Sequence, residues 1–99
     1  MLRERFSSDL KEAIKARETQ RVSTLRLISA AVKDRDIAAR TEDNAEGVTD
    51  TEILTILAKM IKQRQDSAKA YEEGGRLELA AQELQEIEII RGYLPRQMS

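Results

Sequence analysis

Leu2, Phe6, Leu10, Ala13 and Ile14 recur at spacings of four and three, the period at which an α-helix turns one face toward a core. That spacing predicts a first helix over about residues 2–17. Thr19 is placed to cap a second helix that runs to about Arg40, with Val22, Leu25, Ile28 and Val32 as its stripe and Ser29 a small polar neighbour. The stretch "TEDNAEGV" then breaks the pattern with polar residues and Gly47, and reads as a loop. Thr49 stands three residues before Glu52, a capping box in which the threonine oxygen takes a helix-start N–H and the glutamate returns to the cap's own N–H; Val48 is placed to staple against Ile53. A third helix over about residues 50–73 turns Ile53, Leu57, Met60, Ile61, Ala68 and Tyr71 inward. Gly74-Gly75 ends it, because glycine without a Cβ accepts the left-handed conformation that a helix C-terminus favours. The fourth helix, about 76–92, carries Leu77, Ala80, Leu84, Ile87 and Ile90 and stops at Gly92 and Pro95. No strand alternation of useful length interrupts this. The expected fold is all-α, a small bundle of about four helices ending in an antiparallel helical hairpin.

Arg64 falls where that pattern asks for an apolar residue, between Leu57, Met60, Ala68 and Tyr71 on the third helix. A hairpin turning at Gly74-Gly75 sets it near Gln85, within reach of Glu83 and Glu86. A guanidinium in a partly apolar seam is costly unless paired, and a carboxylate is its best partner. The first reading is therefore a structural ion pair with Glu83 or Glu86. A side chain snorkelling out along the rim and a catalytic arginine are the alternatives.

Ninety-nine residues suit one small domain, which buries about 60–65% of the surface its unfolded chain exposes. The chain has no cysteine and no histidine. Disulfides, thiolate chemistry and the usual acid–base group near neutral pH are thereby excluded. The longest apolar runs are three residues, such as Ala30-Ala31-Val32, and "MLRERF" lacks the apolar segment of a secretion signal. These features lead to the expectation of a soluble, cytoplasmic chain without membrane contact. They fix no oligomeric state.

The net charge of −1 conceals an asymmetry: residues 1–40 hold ten Lys/Arg against six Asp/Glu, and residues 41–99 hold seven against twelve. Within the basic part, Arg26, Lys33 and Arg40 recur every seven residues along one side of the second helix, with Arg17 and Arg21 nearby. Such a stripe suits RNA phosphates, each contact adding a salt-sensitive electrostatic term; an ordinary solvated face is the other reading. The four glycines form no phosphate loop, the serines lack a histidine base, and the carboxylates read as solvated helix faces. No catalytic residue, metal ligand or cofactor is expected.

The stretches "RVSTLRLISAAV", "KQRQDSAKAYEEGGRLELA" and "ELQEIEIIRGYLPRQMS" resemble the YqeY-like proteins of the GatB/YqeY family along nearly the whole chain, "YLPRQ" being the most specific piece. The resemblance covers Arg21, Leu25 and Arg26, then Gln63, Arg64, Ser67 and Arg76, then Glu83, Glu86, Tyr93, Leu94, Pro95 and Gln97. Family members resemble the tail region of the GatB component of the tRNA-dependent amidotransferase, a carbon–nitrogen ligase with glutamine as amide donor, in which the tail helps hold tRNA. Members usually continue beyond "YLPRQ" into a second small helical domain, whereas this sequence stops at Ser99. The resemblance thus implies a non-catalytic helical accessory module whose partner is tRNA or a tRNA-charging or amidating enzyme. A protein–protein adaptor without RNA contact is the alternative.

Overall fold

The computed structural model describes residues 2–41 and 48–95. The chain forms four helices, α1 (Leu2–Lys15), α2 (Thr19–Thr41), α3 (Asp50–Glu73) and α4 (Leu77–Arg91), with no strand among the described residues. The expected loop centred on Gly47 and the position of Gln97 lie outside the described residues.

Two tight joints built alike set the topology. At the first, Arg17 adopts φ 58°, while the Glu18 N–H donates to the Ala13 carbonyl at 3.0 Å and the Arg17 N–H to the Ile14 carbonyl at 3.1 Å. At the second, Gly75 adopts φ 75°, the Arg76 N–H donates to the Tyr71 carbonyl at 2.7 Å and the Gly75 N–H to the Glu72 carbonyl at 3.1 Å. Both are Schellman ends, which satisfy orphan carbonyls and turn the chain back through one left-handed residue. Only Gly75 of the glycine pair needs that conformation; Gly74 sits at φ −84°.

The joints fold α1 onto α2 and α3 onto α4, and α2 packs against both members of the second hairpin. Leu25, Ile28, Ile53, Leu57 and Ile90 are fully enclosed where they meet, each contributing about 1.5–3 kcal/mol by leaving water. Buried Thr24 satisfies its hydroxyl by donating to the Gln20 carbonyl at 3.0 Å. The capping box at α3 is present: the Glu52 N–H donates to Thr49 Oγ1 at 3.2 Å and the Thr49 N–H to Glu52 Oε1 at 3.4 Å. Val48 is buried in the same core cluster as Ile53.

Three positions expected inside are exposed: Ile14 (49%), Leu77 (67%) and Leu84 (48%). Ile14 lies one residue, about 100° of helix rotation, beyond the enclosed Ala13. Leu77 and Leu84 share a flank of α4 with exposed Ala81, turned away from buried Ala80, Ile87 and Ile90. With α2 and α3 on its other sides, α4 has no described element to cover that flank.

Two polar ties fasten the hairpins together. The Arg3 guanidinium donates to both oxygens of Asp36, at 2.8 and 2.6 Å, and to the Val48 carbonyl at 3.0 Å. The Val48 N–H donates to Asp36 Oδ1 at 2.9 Å. One bidentate pair thus fixes α1, α2 and the approach to α3, which is the geometry in which a guanidinium is most selective. About one to two turns further along α1, Tyr93, which follows α4, donates its hydroxyl to Asp9 Oδ2. Its ring meets Phe6 edge-on at 4.8 Å and lies under the Arg5 guanidinium at 4.8 Å.

Candidate nucleic-acid interface

Residues seven apart on a helix differ by only about 20° around its axis, so Arg26 and Lys33 project from the same side of α2. Both are exposed, and among the described residues neither forms an ion pair or hydrogen bond. Arg40 belongs to α2 by its backbone, and its side chain lies outside the described residues. The side they share is turned about a third of a revolution, at about 100° per residue, from Leu25, Ile28 and Val32, which the core needs. A side excluded from the core by helical periodicity is where long cationic chains cost nothing to solvate.

The other two basic candidates stand apart from that stripe. Arg17 is exposed at the α1–α2 joint, where it supplies the left-handed residue. Arg21 is half-buried and engaged: its guanidinium approaches Glu18 at 3.3 Å and Asp9 at 3.8 Å. Asp9 in turn accepts the Tyr93 hydroxyl. Burial, then the hydrogen bond to Asp9, pushes the Tyr93 phenol up to about 12. Arg21 is therefore part of the tie between hairpins. That role escaped the sequence, since Asp9 and Tyr93 are 84 residues apart; the local signals were Glu18 three residues before Arg21 and Tyr93 inside "YLPRQ".

Two shallow concavities border the stripe. One, of about 330 Å³, is lined by Thr19, Val22, Ser23, Arg26 and Leu27. The other, of about 250 Å³, lies between α1 and α2, with Phe6, Leu10 and Val32 as its floor and Ser7, Ser29 and Lys33 at its edge. Arg3 and Asp36 also line it, and there they neutralise each other. Among the described residues no group of three or more Asp or Glu is placed to hold a metal ion, and no helix is long and apolar enough to cross a membrane.

Arg64 lies in the α3–α4 seam, away from this face. Its Nε donates to Glu86 Oε1 at 3.0 Å and its Nη1 to the Met60 carbonyl at 3.2 Å. The two side chains are 14% and 13% exposed. Glu83, one turn before Glu86, has no hydrogen bond to Arg64; burial and then the neighbouring Glu86 charge push its carboxyl pKa up, against the pull of Arg64.

Comparison with known proteins places this geometry in a lineage. A protein of Clavispora lusitaniae, "Altered inheritance of mitochondria protein 41, mitochondrial", is 35% identical over 86 residues, covering 87% of this chain and 47% of that protein. Proteins of the same name from Lachancea thermotolerans and Kluyveromyces lactis are 33% and 32% identical, covering 90% and 89% of this chain and 46% and 45% of theirs. The chain thus spans about half the length of these curated relatives. Their names place them in mitochondria, which overturns the cytoplasmic expectation. The absence of cysteine does not distinguish the cytosol from other reducing compartments. The family model described as "Yqey-like protein" matches residues 3–99, and the chain belongs to that family.

Proposed function

We propose that the chain is a non-catalytic helical module that holds tRNA, alone or beside a tRNA-charging or amidating enzyme, through phosphates along the outer face of α2. The observation that carries this reading is the pairing state of Arg26 and Lys33. Both are exposed and, among the described residues, outside any ion pair, whereas Arg3, Arg21, Arg35, Arg64 and Arg91 each face a carboxylate within 4.0 Å. A free cation gains more from a phosphate than one that must first leave a carboxylate, and each contact releases counterions from the nucleic acid. The family's likeness to the tRNA-holding tail of the amidotransferase supports tRNA as the RNA concerned. The test is fluorescence anisotropy of a labelled tRNA transcript over a salt series. Arg26→Gln with Lys33→Gln should weaken binding to different tRNAs alike and reduce the salt slope by about one unit per lost contact. An unchanged slope removes the stripe from the interface.

A second reading, a protein–protein adaptor, is favoured by the uncovered α4 flank of Leu77, Ala81 and Leu84. The same titration separates the two, because an apolar docking face responds weakly to salt. Leu77→Ser with Leu84→Ser would then abolish capture of the partner and leave tRNA binding as it was.

A further inference from the structure

We propose that the exposed side of α2, with the edge of α1 beside it, is organised as two phosphate subsites, each a cation flanked by two hydroxyls: Arg26 with Thr19 and Ser23 on α2, and Lys33 with Ser29 of α2 and Ser7 of α1. This deepens the RNA reading above and rests on it. The groupings follow from the two concavities, each of which gathers one free cation and two hydroxyl side chains.

The hydroxyls set these places apart from an ordinary charged face. A helical serine or threonine commonly closes its hydroxyl onto the carbonyl four residues back. Thr24 does so at 3.0 Å and Thr55 at 3.3 Å. Among the described residues, Thr19, Ser7, Ser23 and Ser29 have no protein partner for theirs, and all four are exposed. Each can donate to an anionic oxygen without giving up an internal bond. A phosphate offers several acceptor oxygens, and one ammonium or guanidinium with two hydroxyls is a complementary set of donors.

The obvious objection is Asp36, which borders the Lys33 subsite. Its carboxylate already receives both Arg3 nitrogens and the Val48 N–H, so its charge is matched within the fold. The spacing also suits a polymer. Arg26 and Lys33 are seven residues apart, about 10.5 Å along the helix axis, so the two subsites address separate phosphates of one strand. Backbone contacts of this kind carry no sequence information; the predicted partner is any structured RNA presenting phosphates at that spacing, tRNA among them.

The test is anisotropy of labelled tRNA against the whole chain and four variants, all at exposed positions: Ser7→Ala/Ser29→Ala, Thr19→Ala/Ser23→Ala, Arg26→Gln and Lys33→Gln. Each hydroxyl pair should lower affinity several-fold at every salt concentration with the slope unchanged, because a neutral donor releases no counterion. Each cation variant should reduce the slope by about one unit. Ser7→Ala/Ser29→Ala should be non-additive with Lys33→Gln and additive with Arg26→Gln. If tRNA binds and the serine and threonine variants bind it as the parent does, the subsites are wrong and the RNA reading stands. If no RNA binds at any salt concentration, both fall.

Discussion

Replacing Arg64 by methionine perturbs the least exposed ion pair among those described, and its effect follows from the geometry. Arg64 and Glu86 share one charge-assisted hydrogen bond at 3.0 Å, with both side chains largely withdrawn from water. Methionine fills most of the stem's volume, so little cavity forms. The Met60 carbonyl, which also accepts from Arg64 Nη1, keeps its place in the helix ladder. What remains is the Glu86 carboxylate without its cation and with Glu83 one turn away. Breaking a buried pair from one side costs about 3–5 kcal/mol, and a single Nε contact in place of a two-pronged one sets the expectation at about 3 kcal/mol. For a domain of this size that lowers the melting temperature by roughly 12–24 °C.

Urea denaturation at pH 7 of the parent, Arg64→Met, Glu86→Leu and the double variant measures this directly. Removing both charges leaves an apolar seam, which is often neutral or stabilising. The double variant should therefore lie within about 1 kcal/mol of the parent, with a coupling energy of at least about 2 kcal/mol. Coupling near zero would refute the reasoning: the pair would then be a rim contact worth about 0–1 kcal/mol.

Four further outcomes follow from particular residues. Gly75→Ala should cost about 1 kcal/mol, because φ 75° disfavours any Cβ although nothing lies within 4 Å of one; Gly74→Ala, at φ −84°, should be neutral or slightly stabilising by thermal melting. Glu83→Gln should stabilise the fold at neutral pH. Its raised carboxyl pKa means that the folded state holds the proton more tightly, so stability falls as pH rises through its titration, and the variant should flatten that slope. Tyr93→Phe keeps the edge contact with Phe6 and loses the bond to Asp9, at about 1.5–3 kcal/mol. With the phenol moved from 10.0 to about 12, the parent's tyrosine contribution is complete below pH 10 and lost as pH rises toward 12, a decline that the phenylalanine variant should lack in denaturation curves. The purified chain should show no glutaminase, ATPase or amidotransferase turnover above a blank; turnover lost on changing one of its own residues would overturn the non-catalytic reading.

The helices were legible because their signals are local. A capping box needs only Thr49 and Glu52, and the stripe of α3 needs only its own spacing. The α4 stripe was half legible for the same reason in reverse: Leu77 and Leu84 have the right period, but which flank of a short apolar helix is covered depends on where α2 and α3 lie. The fate of a charge is less local still. Arg21 and Arg26 are five residues apart on one helix and chemically identical, yet Arg21 is drawn into the Asp9–Tyr93 tie while Arg26 stands free. Glu18, three residues before Arg21, is the local part of that difference; Asp9 and Tyr93 supply the rest, from α1 and from beyond α4.

That selective pairing strengthens the basic face beyond what the formal charge suggests. Three of the six carboxylates in residues 1–40 are engaged inward or at the joint: Asp36 by Arg3 and the Val48 N–H, Asp9 by Tyr93 and Arg21, Glu18 by Arg21. Those contacts match the acids with two arginines that the fold itself needs. They leave Arg26 and Lys33 outside any ion pair among the described residues, with Asp34 the exposed carboxylate beside them on α2. Charges beyond a Debye length, about 8–10 Å at ordinary ionic strength, are largely screened, so an approaching phosphate meets the local pattern and not the chain's net −1. The two ties that hold the hairpins together thus also match two carboxylates, Asp9 and Asp36, that would otherwise face an approaching phosphate. Loosening the Arg3–Asp36 tie would both take the matching guanidinium from an acid beside Lys33 and unfasten α1 from α2, so the tie couples the integrity of the fold to the charge of the surface it presents.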